Sequence, residues 1–394
     1  MSVIENAIIE RICALCEIPS VSGNEGKVAK RAAGLLEQDG LSVELQEVEP
    51  GRSNVIARLK TGREGSRLLF NGHLDTLPPP AEGWTRDPYR PAIENGRLYA
   101  AEVNNMKGAV GGMMWAMAEL QRRSADLCGE IILSAVVGEC DSLGLGTVSA
   151  LERGLTADFC INGEPTDLAV MTSHAGVTQL KLTVHGHPAH VSQRAQGIDA
   201  ISGLVALLRH IREDALTYTA HPDFPGLPTI HVGVIAGGIL PSMLAPSAEA
   251  RIDVRTVPGM TPQSVLGDLQ RLIEEAKKQD AKLKAEVVLS KRPTFMQPHP
   301  FHMATDAPIV TAVAKAHLAV SAKPAHVGTL VPQVFFGSDA SHILAAGIPT
   351  AIYGPGQVSD ISTANESIAV ADVVTAAQTY LASALSLCAK GRPS

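Results

Sequence analysis

Apolar residues recur at helical spacing from the start of the chain, with Ile4, Ile8, Ile12 and Leu15 on one face. A second amphipathic helix is predicted from near Asn24 to Gly40, a glycine suited to a helix end. The pattern then turns to strands. LSVELQEV alternates, and SNVIARLK and RLLFNGHLD follow. GAVGGMMWAMAEL reads as a buried helix, and EIILSAVVGE and ADFCINGEP as further strands. The run EIILSAVV is apolar almost throughout, as a strand covered on both faces of a parallel sheet requires. This strand–helix alternation predicts an α/β sheet.

The style changes near Thr178. TQLKLTVHG alternates strictly, so one face of that strand is solvated. The helix GIDAISGLVALLRHIRED, the strands TIHVGVIAGG and AEARIDVRTV, the helix TPQSVLGDLQRLIEEAKKQ and the strand AKLKAEVVLS complete a β-α-β-β-α-β order. That order is the recipe for a split βαβ sandwich. After Pro293 the first style returns, with the helix APIVTAVAKAHLAV and the buried strand GIPTAIYGPG. The expected architecture is an α/β domain (1–177 and 291–394) interrupted by an inserted α+β domain (178–290).

Composition narrows the function classes. A length of 394 residues suffices for two cores, and 45% hydrophobic with 19% charged residues marks a globular chain. A net charge of −7 argues against nucleic acid, which calls for a basic stripe. No apolar run approaches membrane-spanning length, and the acidic, amphipathic start is not a secretory signal. The expectation is a cytoplasmic protein with no membrane partner. Cys13, Cys16, Cys128, Cys140, Cys160 and Cys388 are scattered, mostly in apolar contexts, which suits a reducing compartment. Cys13 and Cys16 form a CxxC on a helical pattern with no second pair, so helix packing is the expected role.

Candidate chemistry lies where apolar strands end. NGHLDTLP (His73, Asp75), AEVNNMKGA (Asn104, Asn105, Lys107), VVGECD (Glu139, Cys140) and INGEPTDL (Glu164) terminate strands of the first domain. Strand ends of one open sheet converge on one crevice. One arrangement is unexpected: Glu139 stands beside a thiol, Cys140, where a metal or acid–base site favours two carboxylates.

Taken in order, NGHLDTLP, GRLYAAEVNNMKGAVGG, VVGECDSLGLGT, NGEPTDL, HGHPAHVS, VIAGG, RIDVRTVPG, GSDA and GIPTAIYGPG resemble the dinuclear-zinc aminoacylase and carboxypeptidase family. That family includes acetylornithine deacetylase and succinyl-diaminopimelate desuccinylase. The resemblance implies a zinc-peptidase-like α/β catalytic domain with an inserted α+β lid and dimerisation domain, and hence a homodimer. It implies that His73 and Glu164 hold the first zinc, with Asp75 behind His73. Glu139 corresponds to the general base, His190 to the lid histidine that serves the partner's site, and Arg255 to the arginine that binds a substrate carboxylate.

The departures concern the metals. Asn105 stands where the family has the aspartate bridging both zincs, Cys140 where it has the second zinc's glutamate, and Ser362 where it has the second zinc's histidine. Ser242 replaces a lid asparagine. Two dications repel strongly at short range, and an amide, a thiol and a hydroxyl do not replace the lost charge and imidazole. The expectation is no dinuclear centre, and either no metal or at most one zinc, with His73, Glu164 and a Cys140 thiolate as three acceptable ligand types.

The leading expectation from sequence is therefore an enzyme acting on a small amino-acid-like carboxylate. Glu139 would work as acid–base without dinuclear zinc, in cyclisation, condensation, dehydration or isomerisation. Cys140 would be a second acid–base group, a nucleophile or a neutral filler. Ser242, His73, Asn105 and Arg255 would contact substrate. The alternatives are a mononuclear zinc amidohydrolase cleaving N-acyl amino acids or dipeptides, and a ligand-binding pseudoenzyme. For Glu139 a structural role is open as well, pairing with a cation such as Lys107.

Overall fold

The computed structural model describes residues 2–290 and 297–389. The chain divides into two units. Met1–Ser173, Phe301–Gln333 and Ser338–Ser394 form the first, and His174–Pro300 with Val334–Gly337 the second. The insertion was expected at 178–290. It begins earlier and also takes in Val334–Gly337, because the Ala175 N–H donates to the Val334 carbonyl at 2.8 Å and Val334 packs in the second unit's core. The expected return at residue 291, with its marker Pro293, lies outside the described residues.

The chain opens with α1 (Val3–Cys16), started by a capping box between Ser2 and Glu5, and α2 (Gly26–Gln38). Strands β1 (Ser42–Glu49), β2 (Arg52–Lys60) and β3 (Arg67–His73) lead to α3 (Gly108–Arg122). Next come β4 (Glu130–Val136), α4 (Leu145–Glu152), β5 (Phe159–Asn162) and β6 (Val170–Met171). The second unit contributes β7 (Gly176–His185), α5 (Ala200–Leu208), β8 (Thr229–Gly237), β9 (Ser247–Thr256), α6 (Pro262–Gln279) and β10 (Lys284–Leu289). The first unit resumes with α7 (Pro308–Ser321), β11 (Val327–Gly328), α8 (Ala340–Ala345), β12 (Thr350–Ile352) and α9 (Val370–Leu387).

The first unit is built on a mixed sheet in the order β1-β2-β4-β3-β5-β12-β6-β11. At its centre β3 pairs in parallel with β4 on one side and β5 on the other. Successive side chains of these strands enter opposite cores. Leu68, Phe70, Ile131 and Leu133 join the larger core with α1, α3, α7 and α9, whereas Leu69 and Ile132 join a smaller one with Ala150 and Ile343. Burial on both faces is why these strands carry unbroken apolar runs.

One expectation is corrected here. The helix α9 is long and apolar enough to cross a membrane by length and composition, with a mean hydropathy of 1.2. It is instead a core helix: Val373, Ala377, Tyr380 and Ala384 are buried, and Asp372 lies in its first turn.

The second unit is an antiparallel sheet in the order β8-β9-β7-β10, with α5 and α6 linking its strands. Along β7 buried residues alternate with half-buried ones from Thr178 onward, as the sequence pattern predicts. The helix expected across GIDAISGLVALLRHIRED is shorter. It spans Ala200–Leu208, capped by Asp199, and then breaks so that Ile211 and Leu216 turn into the core.

Candidate functional site

Three neighbouring parallel strands deliver the acids and the histidine to one end of the sheet. His73 is the last residue of β3 and pairs with Val136 of β4, and Asn71 of β3 pairs with Asn162 of β5. Glu139 follows Val136 by three residues and Glu164 follows Asn162 by two, so both reach the carboxyl edge of the sheet beside His73. Gly144 is required nearby: its φ is +114°, and a Cβ there would lie 2.4 Å from the His342 ring and 3.0 Å from Asp339 Oδ1.

His73 is buried and makes different contacts at its two nitrogens. Nδ1 donates to the Asp75 backbone carbonyl at 2.8 Å. Nε2 faces Asn105 Oδ1 at 3.1 Å, Glu139 at 3.9 Å and Glu164 at 3.9 Å. The last two separations are too long for hydrogen bonds. Nε2 and one oxygen of each carboxylate all lie within 4.8 Å of one another, a set that could hold a metal ion. One imidazole and two carboxylates suit a divalent ion such as zinc. Asn105 Oδ1 adds a neutral oxygen to the same side.

The aspartate behind His73 works differently from the resemblance. The Asp75 carboxylate is 3.8 Å from Nδ1; only its backbone carbonyl holds the ring. The side chain accepts from the Glu139 N–H at 3.0 Å, the Cys140 N–H at 2.9 Å and the Ser22 hydroxyl at 2.9 Å. Asp75 therefore fixes the backbone that carries Glu139.

The three-ligand set of His73, Glu164 and Cys140 is not assembled. Cys140 Sγ lies 3.9 Å from Nδ1, the opposite side of the ring from Glu164, and contacts the Asp75 carbonyl at 3.6 Å. Burial pushes the thiol well above its ordinary pKa, and the charges of Asp75 and Glu139 push it further, so it is a neutral thiol rather than a nucleophilic thiolate. Lys107 does not pair with Glu139 either. Its buried ammonium donates to the Leu15 and Ile18 carbonyls at 3.1 and 3.0 Å.

The remaining acids share too few cations to ionise together. Burial, with the charges of Asp339 and Asp75, raises Glu139 well above the usual carboxylate range. Burial, with the charge of Glu139, pushes Glu164 up to about 8. Burial alone would lower His73, but the charges of Asp75, Glu164 and Asp339 outweigh it and raise the imidazole.

Asp339 and Glu102 are not among the sequence-predicted residues. Asp339 precedes α8 and accepts from the Thr147 hydroxyl at 2.8 Å. Thr147 in turn accepts from Asn71 at 3.1 Å, and Asn71 from Asn162 at 2.8 Å, a buried polar chain beneath the acids. Its signal in the sequence is the acid inside GSDA. Glu102 was hidden in AAEVNN. It is buried, in a left-handed conformation at φ 57°, and accepts from Ser362 Oγ at 2.9 Å. Ser362 is thus engaged by a carboxylate. Glu366 accepts the Glu102 and Asn104 N–H groups at 2.9 and 2.8 Å.

A sequence profile of peptidase family M20/M25/M40 matches residues 69–386. The chain belongs to the M20/M25/M40 peptidase family. Among relatives of this M20 chain, a succinyl-diaminopimelate desuccinylase from Methylorubrum extorquens is 32% identical over 307 residues, covering 73% of this chain and 78% of its own. The N-formyl-4-amino-5-aminomethyl-2-methylpyrimidine deformylase of Bacillus subtilis is 26% identical over 398 residues, covering 94% and 91%. A solved M20 metallo-carboxypeptidase from Sulfolobus solfataricus shares the fold at a TM-score of 0.79 and 17% identity, covering 98% of this chain and 99% of that one.

The other sequence-predicted residues of this M20 chain lie in its second unit. Arg255, on β9, is half-buried, ion-paired with Asp253 at 2.8 Å, and donates to the Phe335 carbonyl at 3.1 Å. His190 and Ser242 lie on adjacent segments: His190 bridges to Met243, and the Val191 N–H donates to the Ser242 carbonyl at 3.0 Å. His190 is exposed, with Nδ1 2.8 Å from Ser192 Oγ.

Proposed function

We propose that the protein hydrolyses the amide bond of a small N-acyl amino acid or dipeptide, using one divalent metal ion. The observation that carries this is the convergence of His73 Nε2, Glu139 and Glu164 within 4.8 Å at three adjacent strand ends. The relatives support hydrolysis over the metal-free cyclisation, condensation, dehydration or isomerisation that the missing ligands suggested. A desuccinylase and a deformylase both remove an acyl group.

In this reading His73 and Glu164 hold the ion, with the Asn105 amide oxygen beside them. A bound ion would supply Lewis-acid polarisation of the scissile carbonyl and acidify water. Glu139 takes the proton of the attacking water and passes it to the departing amine. A carboxyl raised above the usual carboxylate range by burial and by Asp339 is a stronger base than a free glutamate, which suits taking up and passing on a proton. Asp75 keeps Glu139 in place through its backbone N–H. A second ion is not part of the proposal. Asn105 brings no charge, Ser362 donates to Glu102, and Cys140 Sγ lies on the Nδ1 side of His73, away from Glu164. Arg255 would bind a substrate carboxylate, and His190 and Ser242 would serve the same reaction.

The proposal includes a cytoplasmic homodimer formed through the second unit. Strand β8 is a sheet edge, and Val234, Ile235, Ile239 and Leu240 on and after it are exposed, as are Ile201 and Val205 of α5. An apolar edge strand invites pairing with another strand. A second copy meeting it about a two-fold axis would cover the same patch on both chains.

The test combines metal analysis with turnover of N-formyl, N-acetyl and N-succinyl amino acids. The expected result is no more than one tightly held zinc per chain, with activity lost to a chelator and restored by one equivalent. Activity indifferent to the chelator, two tightly held ions, or no amine released with one zinc bound would each overturn the reading.

A further inference from the structure

Glu139 stands in a loop, residues 137–146, that runs from the end of β4 into the first turn of α4. Strand β2 pairs with β4 from Lys60 and Glu130 up to Val55 and Ala135. Its first residues, Arg52 to Asn54, therefore extend past that ladder, and continuing the register sets Arg52 opposite Gly138. Arg52 and Asn54 are alternate residues of a strand, so both side chains leave the same face. Both are buried polar groups, and both are spent on the loop that carries Glu139.

The Asn54 amide closes the loop at its stem. Its Oδ1 accepts the Val137 N–H at 3.1 Å, and its Nδ2 donates to the Gly146 carbonyl at 2.8 Å. The Gly146 N–H donates to the Val137 carbonyl at 2.9 Å, and a Cβ on Gly146 would lie 2.5 Å from Asn54 Oδ1. Arg52 acts on the turn itself. The fully buried Glu25 clamps its guanidinium, with Nε donating to Oε2 at 3.0 Å and Nη2 to Oε1 at 2.6 Å, and Glu49 accepts from Nη1 at 2.8 Å. From that fixed position Nη2 reaches Asp141 Oδ1 at 3.4 Å and lies against Gly138, where a Cβ would be 3.2 Å away. Gly138 and Asp141 flank Glu139 and Cys140, whose N–H groups Asp75 holds. A buried arginine–carboxylate pair is by itself often only structural. The contacts with Gly138 and Asp141 are what tie this one to the base.

We propose that Arg52 and Asn54 are positioning residues that set where the Glu139 carboxyl stands, with Glu25 fixing Arg52. Asn54 fixes the two stems of the loop and Arg52 the residues on either side of Glu139 and Cys140. They act through Glu139 and not on the substrate. A displacement of about 1 Å in a reacting group costs about 100-fold in rate, so a brace behind the base bears directly on turnover. This inference rests on the reading of Glu139 as proton carrier for its turnover arm and stands apart from it for its exchange arm.

The experiment uses Arg52→Lys, which keeps a charge for Glu25 but loses the fork, and Asn54→Asp, which keeps the acceptor for Val137 but loses the donor to Gly146. The probe is whichever N-formyl, N-acetyl or N-succinyl amino acid the wild type cleaves fastest. In each zinc-loaded variant kcat should fall about 10–100-fold, with KM and zinc content within about twofold of wild type. Hydrogen–deuterium exchange should quicken at least about tenfold in peptides covering residues 137–146 and keep its wild-type rate in the strands of the second unit. A lowered unfolding midpoint with an unchanged kcat in the folded protein would make the pair structural and overturn the proposal. An unaltered exchange rate in the loop overturns it as well. If neither variant folds, Asp141→Asn takes their place. That exposed substitution weakens only the reach of Arg52 to the loop, with an expected kcat loss of about threefold, and no loss overturns the proposal. A loosened loop in a protein that releases no amine from any of these compounds keeps the brace and overturns the hydrolase reading instead.

Discussion

At the scale of single residues, the arrangement around His73 separates holding from reacting. Its Nδ1 is fixed by a carbonyl, so the ring presents Nε2 to Glu139 and Glu164. Both nitrogens face oxygen atoms, which fits a doubly protonated ring while no cation is bound. Glu139→Gln should abolish turnover and leave zinc content within twofold, measured by single-turnover kinetics and elemental analysis. A variant with the wild-type rate would make Glu139 structural. Asp75→Asn keeps the shape but loses an acceptor for the Glu139 and Cys140 amides. A loss of about 10–100-fold in kcat or zinc affinity is expected, the usual effect of disturbing a partner behind the ligands. Cys140→Ser should keep most of the activity, because the thiol is neutral and away from Nε2. Complete inactivation of the serine variant would assign the sulfur a chemical role.

At the scale of elements, the active strand ends depend on how α1 meets the start of α3. Lys107, at the head of α3, spans to the carbonyls of Leu15 and Ile18 at the tail of α1, where a cation also meets the negative helix end. Lys107→Met would leave two buried acceptors unpaired. A destabilisation of about 2–4 kcal/mol by denaturant unfolding is expected. An unchanged midpoint would mean that water replaces the ammonium without loss. The CxxC of α1 behaves as packing: Cys16 is buried and pushed up to about 12, first by that burial, and Cys13 to about 11 for the same reason.

At the scale of the whole molecule, the buried acids link stability to pH. A free glutamate ionises near 4.5, whereas burial pushes Glu102 up to about 7 and Glu164 and Glu366 up to about 8. Between those values the unfolded chain has released protons that the folded chain still holds, so stability falls as pH rises. The raised imidazole of His73 acts in the same direction. The Tm of metal-free protein should therefore decline from about pH 5 to about pH 8, and saturating zinc should flatten the decline by replacing protons. A Tm that rises over that range without metal would contradict the protonated cluster. If the proposed dimer forms, paired Ile235→Lys and Ile239→Lys substitutions should convert it to monomer in light scattering. A wild-type protein that is already monomeric would remove the proposed interface.

Much of this was legible along the chain because local pattern carries it. The apolar runs ending in NGHLD, VVGE and INGEP specify buried strands whose polar ends must emerge together, and the alternation after Thr178 marks a sheet with one wet face. The family motifs place His73, Glu139 and Glu164 on those ends. What the order of residues could not decide is which side of an imidazole a neighbour occupies. Cys140 follows Glu139 in sequence, yet the bonds from Asp75 to both amides turn its sulfur toward Nδ1 and away from Glu164. Nor could it show that Glu102 would meet Ser362, 260 residues away, and be left with an unpaired oxygen. Strand and helix follow from spacing along the chain, but charge balance and hydrogen-bond satisfaction depend on the distances that only the folded chain creates.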